Sequence, residues 1–256
     1  MDHIKNTWAQ QATSYGTSHA ASWKDIFAMQ LEIDTIGQFI KQGDVVLDVG
    51  CANGFSTFNQ LKRGPKKITG VDYVDEMITY ANEQREREYS DSNISFEVGD
   101  IRNLRFSENS FDVVYTTRVL INLPTWEEQQ QGISECLRVA KSGGVVVFSE
   151  AFWEPLVKLN SLRTLAGLSS LVEHDFNRYL KKSKLNSFLK QLGLQFEVID
   201  FSSLYYLGSR FVRELTEGLE EPENYQNRIN STFYELEKKY SNSKDFGIQQ
   251  AFVVHK

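Results

Sequence analysis

Between Asp44 and Glu150, short apolar runs alternate with amphipathic stretches, and that alternation predicts the elements. "VVLDVG" (45–50) is short, β-branched and apolar without alternation, the pattern of a strand covered on both faces. "STFNQLKRG" (56–64) reads as a helix closed by Gly64, and "KKITGVD" (66–72) as the next strand. "DEMITYANEQREREY" (75–89) puts acids in its first turn and apolar residues at Met77, Ile78 and Ala81, as a helix does. "ISFEVGD" (94–100), "FDVVYTT" (111–117) and "GGVVVFSE" (143–150) predict three more strands. Before the last of these, Thr125 and Glu128 form a capping box for a helix that Gly143 and Gly144 are expected to end.

Alternating strands and helices at this spacing imply a mostly parallel sheet with helices on both faces. Ligands of such sheets bind outside the carboxyl ends of the strands. One rim is therefore expected to collect Gly50–Gly54, Asp72, Asp100, Thr116–Arg118 and Glu150. After Glu150 the pattern changes. "SKLNSFLKQLG" (183–193) reads as a capped helix, "LQFEVIDF" (194–201) as a strand and "IQQAFVVHK" (248–256) as a closing strand. The expected organisation is one domain, 1–256, with an N-terminal lid of helices at 1–43 and a cofactor core at 44–150. Substrate-side insertions follow at 151–182 and 202–246, and the closing helix and strands at 183–201 and 247–256.

Composition narrows the class. Among 256 residues, 41% hydrophobic and 24% charged is ordinary for a soluble α/β protein. Cys51 and Cys136 lie far apart without metal-ligand spacing, so a cytoplasmic, reducing compartment and no metal site are expected. The formal charge of −6 offers no general attraction to nucleic acid or to anionic membranes. No apolar run approaches a membrane span, and the start "MDHIKNTWAQQATSYG" lacks the pattern of a signal peptide. A small-molecule ligand is the expected partner; oligomeric state leaves no mark in the pattern.

The turn after the first strand carries the chemistry. Counted from Gly50, Ala52 and Phe55 stand where a dinucleotide fingerprint needs its second and third glycines, and no Gly-Lys-Ser/Thr follows for a phosphate loop. What remains is an acid-x-Gly-x-x-x-Gly turn made by Asp48, Gly50 and Gly54. A carboxylate at the end of the second strand, Asp72, suits the vicinal diol of a ribose, whichever nucleoside cofactor carries it.

"LDVGCANG" (47–54) resembles the first motif of the class I S-adenosylmethionine-dependent methyltransferases, with Ala52 in place of the middle glycine. In order, "GVDYVDEMI" (70–78), "GDIRNLRF" (99–106), "FDVVYTTRVLINL" (111–123) and "LRVAKSGGVVVFSE" (137–150) are similar to the segments that follow it in that family. The resemblance covers roughly residues 44–150. It implies a Rossmann-like sheet of seven strands, the last antiparallel, with S-adenosylmethionine as cofactor. It also implies that Asp72 takes the ribose hydroxyls, that Asp100 accepts from the adenine amine and that Ile101 packs on the ring. Tyr73 and Met77 would flank the adenine, Ala52 and Thr116 border the cofactor, and Asp48 supplies an acidic neighbourhood for its cationic methionine part.

The acceptor is less legible. The Asn/Asp-Pro-Pro-Tyr/Phe signature of base-modifying amino methyltransferases is absent after "YTT", which argues against nucleic acid. Trp8, Tyr15, His19 and Trp23 suggest an N-terminal lid. Glu150 is the first candidate base or substrate anchor, and His174, in "LVEHDFNRYL" (171–180), the second. Arg118, Asn160, Arg163, Asn177, Tyr205, Tyr206 and Arg210 are candidates for holding hydroxyls or an anion. Arg163 and Arg210 suit a nucleotide-sugar diphosphate. A faint likeness to surface-polysaccharide and sugar-nucleotide methyltransferases points the same way. The expected activity is methyl transfer to oxygen or nitrogen of a small polar molecule, with a sugar among the candidates. The rivals are an NAD-dependent oxidoreductase on a related fold and a non-catalytic cofactor-binding subunit.

Overall fold

A computed structural model describes residues 2–217, 225–240 and 245–256. Its strands are β1 (Val45–Val49), β2 (Lys67–Asp72), β3 (Ile94–Val98), β4 (Phe111–Thr117), β5 (Ala140–Ala151), β6 (Gln195–Ile199) and β7 (Gln249–His255). They form one seven-stranded sheet in the order β3-β2-β1-β4-β5-β7-β6. Pairings from β3 across to β5 are parallel, and β7 runs antiparallel to both β5 and β6. The mostly parallel Rossmann-like sheet with an antiparallel last strand is the architecture the motif order implies.

The helices are α1 (Asp2–Tyr15), α2 (Ile26–Ile36), α3 (Phe55–Gln60), α4 (Asp75–Glu88), α5 (Trp126–Val139), α6 (Trp153–Leu165), α7 (Lys182–Gln191), α8 (Ser203–Leu207), α9 (Arg213–Glu217) and α10 (Arg228–Tyr240). Side-chain alternation along the strands feeds two cores, one on each face. Val46, Ile68, Val113 and Val147 pack with α2, α3 and α4 residues such as Leu31, Phe58 and Ile78. Leu47, Val71, Val114 and Val146 pack on the other face with Ile133 and Leu137 of α5 and Leu185 and Leu189 of α7.

Two predicted boundaries move. α5 ends at Val139, before the glycine pair, because β5 already begins at Ala140. Gly144 instead serves a close backbone approach: a Cβ there would lie 2.8 Å from the Asp112 carbonyl oxygen, where the β4–β5 register shifts. α7 begins one residue before Ser183 and has no cap of its own. Glu154 of α6 supplies it, accepting from the Lys182 and Ser183 amides at 2.9 and 3.2 Å. The predicted 202–246 insertion contains α8, a π-helical turn at Gly208–Val212, α9 and α10; its residues 218–224 and 241–244 lie outside the described residues. No helix among the described residues is long and apolar enough to cross a membrane.

Candidate active site

A cavity of about 580 Å³ lies over the carboxyl ends of β1, β2, β4 and β5. Of the predicted residues, Gly50, Ala52, Asp72, Tyr73, Met77, Asp100 and Ile101 line it from the β1–β3 side of the sheet. Arg118, His174, Asn177 and Tyr206 line it from the β4–β7 side. Topology alone brings these two groups to one opening.

On the first side the backbone does most of the arranging. Gly50 has φ +79° and its missing Cβ leaves room for Val119, whose Cγ2 would otherwise be 1.7 Å away. Only glycine allows β1 to turn here while the segment after β4 packs on it. The Ala52 amide, at φ +48°, donates to Asp72 Oδ2 at 2.9 Å, and the Val74 amide donates to Oδ1 at 2.9 Å. Each oxygen of Asp72 thus keeps acceptor capacity at the cavity edge. Burial pushes this carboxyl up to about 6. Partial burial pushes the Asp100 carboxyl up too, but a bidentate hydrogen-bonded pair with Arg102 prevails and holds it below the usual carboxylate range. Arg102 is itself steadied by Glu128 at 2.7 Å. The Tyr73 hydroxyl is buried without a hydrogen-bond partner among the described residues.

Several predicted residues do not line the cavity. Gly54 starts α3 at φ +84°, and the place of its Cβ is taken by Phe58 and Phe96 rather than left for a ligand. Asp48 is fully buried behind the turn, where Thr57 and Tyr115 hydroxyls donate to Oδ2 at 2.6 and 2.8 Å. Burial pushes it up to about 7. Its role is organising the turn from below. Glu150 and Thr116 are also fully buried. Glu150 Oε1 accepts from Thr116 Oγ1 at 2.8 Å and from the Val119 and Leu120 amides at 3.1 Å, while Oε2 faces the Ile121 amide at 3.4 Å. A carboxylate spent on its neighbours' amides is no base for a substrate; it ties down the segment after β4. The first candidate base is thereby corrected to an organising role.

Arg163 and Arg210 fail for a related reason. Arg163 is 3% exposed and pairs with Glu214 at 2.7 Å, and it donates to the carbonyls of Ser169 and Arg210. Arg210 pairs with Asp25 at 2.6 Å and sits over the rings of Tyr206 and Tyr225. Both guanidiniums are held in internal ion pairs, and neither lines the cavity. Tyr205 also turns inward, donating to Asp25 at 2.5 Å, and the Asn160 amide clamps the backbone of Leu171.

The second side of the cavity is assembled from distant segments. Thr7, Trp8 and Gln11 of α1, then Ser22, Trp23 and Lys24, close over the cavity, with Trp8 packed beside Ala52, Tyr73 and Met77 of the first side. This N-terminal segment is fastened by Asn53, whose amide donates to the Gly16 and Ser18 carbonyls at 2.8 Å, and by Lys5 to Asp75. Trp8 Nε1 donates to Asn122 Oδ1 at 3.3 Å and its ring meets Phe176 edge-on. His174, exposed at the rim, stacks on Phe176. Tyr15 and His19, expected in the lid, do not line the cavity; His19 instead contacts the Trp23 carbonyl and the Phe55 ring.

Glu32 is the residue sequence reasoning missed. It lies on the buried face of α2 among Leu31 and Ile33, is 2% exposed and lines the cavity. Ser149 Oγ donates to its Oε1 at 2.6 Å, and Arg118 Nε lies 3.4 Å from its Oε2. Arg118 holds a left-handed backbone, φ +58°, and rests its guanidinium 4.5 Å from the Trp23 ring centre. The available signal was an acid between Leu31 and Ile33 in a mostly apolar helix, since an unpaired carboxylate is almost never buried.

The first side fits a nucleoside without phosphates. It offers a carboxylate with free acceptor capacity, an unpartnered buried tyrosine hydroxyl, and apolar walls from Met77 and Ile101. Comparison with known proteins agrees. The methyltransferase domain family matches residues 40–201, most of the chain. A sterol 24-C-methyltransferase of Kluyveromyces lactis is 35% identical over 112 residues, 43% of this chain but only 29% of that protein. A ubiquinone biosynthesis O-methyltransferase of Coxiella burnetii is 27% identical over 172 residues, covering 66% of this chain and 70% of that protein. The geranyl diphosphate C-methyltransferase of Streptomyces coelicolor was solved with Mg2+, geranyl diphosphate and S-adenosyl-L-homocysteine. It shares the fold at TM-score 0.58 and 14% identity, over 88% of this chain and 78% of that one. The chain belongs to the class I S-adenosylmethionine-dependent methyltransferases, with S-adenosylmethionine as its cofactor.

Proposed function

We propose that the protein transfers a methyl group to oxygen or nitrogen of a small molecule with a ring or short apolar body and a hydrogen-bond donor. The observation that carries this reading is the second side of the cavity, which Trp23, Ile121, Tyr179, Tyr206 and Ile248 line together with the buried Glu32. The chemistry the bound cofactor supplies is a methyl group activated by its sulfonium. The chain's own residues hold and orient: Asp72 accepts from the ribose hydroxyls, Asp100 borders the adenine, and Trp8 and Trp23 exclude water.

The names of the sterol and ubiquinone relatives support a small-molecule acceptor over nucleic acid. A sugar keeps some support from the ring-and-hydroxyl chemistry of the cavity. A sugar nucleotide loses its expected anchor, because Arg163 and Arg210 are buried in internal ion pairs. The closed lid favours catalysis over a non-catalytic binding role. Two buried free cysteines suit a cytoplasmic setting.

The test is calorimetric titration with S-adenosylhomocysteine and with NAD, followed by transfer of tritiated methyl to a panel of cyclic alcohols, phenols and amines. Homocysteine-nucleoside binding without NAD binding, and label in at least one acceptor, is expected. Tight NAD binding with none for S-adenosylhomocysteine overturns the reading.

A further inference from the structure

The β4–β7 side of the cavity has more buried hydrogen-bond acceptors than the protein satisfies. Glu32 Oε1 is occupied by Ser149, but Oε2 is left to Arg118 Nε at 3.4 Å. That is longer than the roughly 2.7–2.9 Å of a charge-assisted hydrogen bond. Asn177 and Gln249 line the same cavity, 7% and 2% exposed, and the side-chain oxygen of each has no hydrogen-bond partner among the described residues. Buried polar atoms without partners are uncommon in native proteins, and several in one cavity call for a ligand that satisfies them. Topology explains their convergence. Gln249 pairs with Ala151 at the end of β5, two residues beyond Ser149, whose hydroxyl reaches Glu32. The segment carrying Asn177 crosses the same strand end through the bridge between Phe152 and Leu180.

Trp23, Ile121, Tyr179, Tyr206 and Ile248 line the same cavity, so the missing donor arrives on a ring or similar body. A cationic donor is disfavoured here: Arg118 already neutralises Glu32 and already occupies the face of Trp23. Burial holds the Glu32 carboxyl above its usual range, against the opposing influence of Arg118 and Ser149. A neutral hydroxyl suits such a site, because it brings a donor without a second charge to desolvate.

We infer that Glu32 is the acceptor-binding carboxylate of this enzyme, taking a hydrogen bond from a neutral hydroxyl on a cyclic molecule, with Asn177 and Gln249 available to further hydroxyls. The assignment rests on the methyltransferase reading above and specifies its acceptor. It also gives α2 a function: the helix that covers the sheet carries the group that recognises the substrate.

Phenol and anisole test it without knowledge of the natural acceptor, since they differ by the hydroxyl donor. Both are titrated against full-length protein saturated with S-adenosylhomocysteine, followed by tryptophan fluorescence and by ligand-observed NMR. Wild type is expected to prefer phenol by about tenfold, the lower end of what a hydrogen bond to a charged group contributes. In Glu32→Gln the preference should fall to about threefold or less, with S-adenosylhomocysteine affinity nearly unchanged as the control for folding. Equal binding of the two probes by wild type overturns the assignment, as does saturable binding of neither. So does a preference that survives intact in Glu32→Gln. The wild-type comparison needs no variant, so a misfolded Glu32→Gln does not rescue the assignment. Failure of S-adenosylhomocysteine itself to bind wild type would instead sink the methyltransferase reading beneath it.

Discussion

Asp72 and Glu150 are two acids at the ends of two parallel strands of one sheet, and they do opposite things. Asp72 spends one hydrogen bond per oxygen on the turn backbone and keeps an open edge on the cavity. Glu150 turns inward and is saturated by Thr116 and the amides of the next segment. The difference follows from what lies beyond each strand. After β2 the chain leads into α4 and leaves the carboxylate at the rim; after β4 it folds back over β5 and buries Glu150 beneath it. The same contrast separates the two sides of the cavity. The first side is built from turns adjacent to their own strands, whereas the second is built from side chains of α2, the 174–179 segment and α8.

Substitutions can break or sharpen this comparison. The largest stability effect is expected at Arg163, which was a substrate candidate by sequence and is a buried ion-pair partner by structure. Arg163→Met should destabilise the fold by about 3–5 kcal/mol, because Glu214 is left buried without its partner. S-adenosylhomocysteine affinity of the folded fraction should be nearly unchanged; weakened binding without loss of stability in urea would restore Arg163 to the site.

Asp72→Ala should weaken S-adenosylhomocysteine binding by about 1.5–3 kcal/mol, the value of hydrogen bonds to a charged group. Unchanged affinity in calorimetry would remove Asp72 from the ribose role.

For Glu150→Gln the expected loss is in stability, about 1–3 kcal/mol from amides left unsatisfied. The pH dependence carries the sign. Burial raises Glu150 from 4.5 to about 7, so the folded chain binds its proton more tightly than the unfolded chain does. Its contribution is full below the unfolded value and is lost as pH rises through the folded one. The gap in urea stability between wild type and Glu150→Gln should therefore narrow between pH 5 and 8. A gap that widens would contradict the buried, amide-bound carboxylate.

The smallest effect is expected in the cofactor's own pH profile. Burial places Asp72 at about 6, and protonation removes acceptor capacity. S-adenosylhomocysteine affinity should fall modestly below pH 6 in wild type and stay flat in Asp72→Ala; parallel profiles would break the assignment.

What the sequence determined by itself is the sheet, the cofactor and much of one side of the cavity. Apolar runs, glycine positions and strand-end acids are local signals, and local signals specify elements whose hydrogen bonds are made within a few residues or along a ladder. Gly50, Asp72 and Ile101 were legible for that reason. Only the tertiary structure decided which polar groups face the cavity and which are spent inside the protein. Glu32 and Arg118, 86 positions apart in the numbering, meet because α2 packs over the sheet beside β5. Arg210 looked available until Asp25, from the start of α2, neutralised it. A charged side chain's role depends on whether burial leaves it a partner. Such partners come from long-range packing, and no spacing along the chain encodes them.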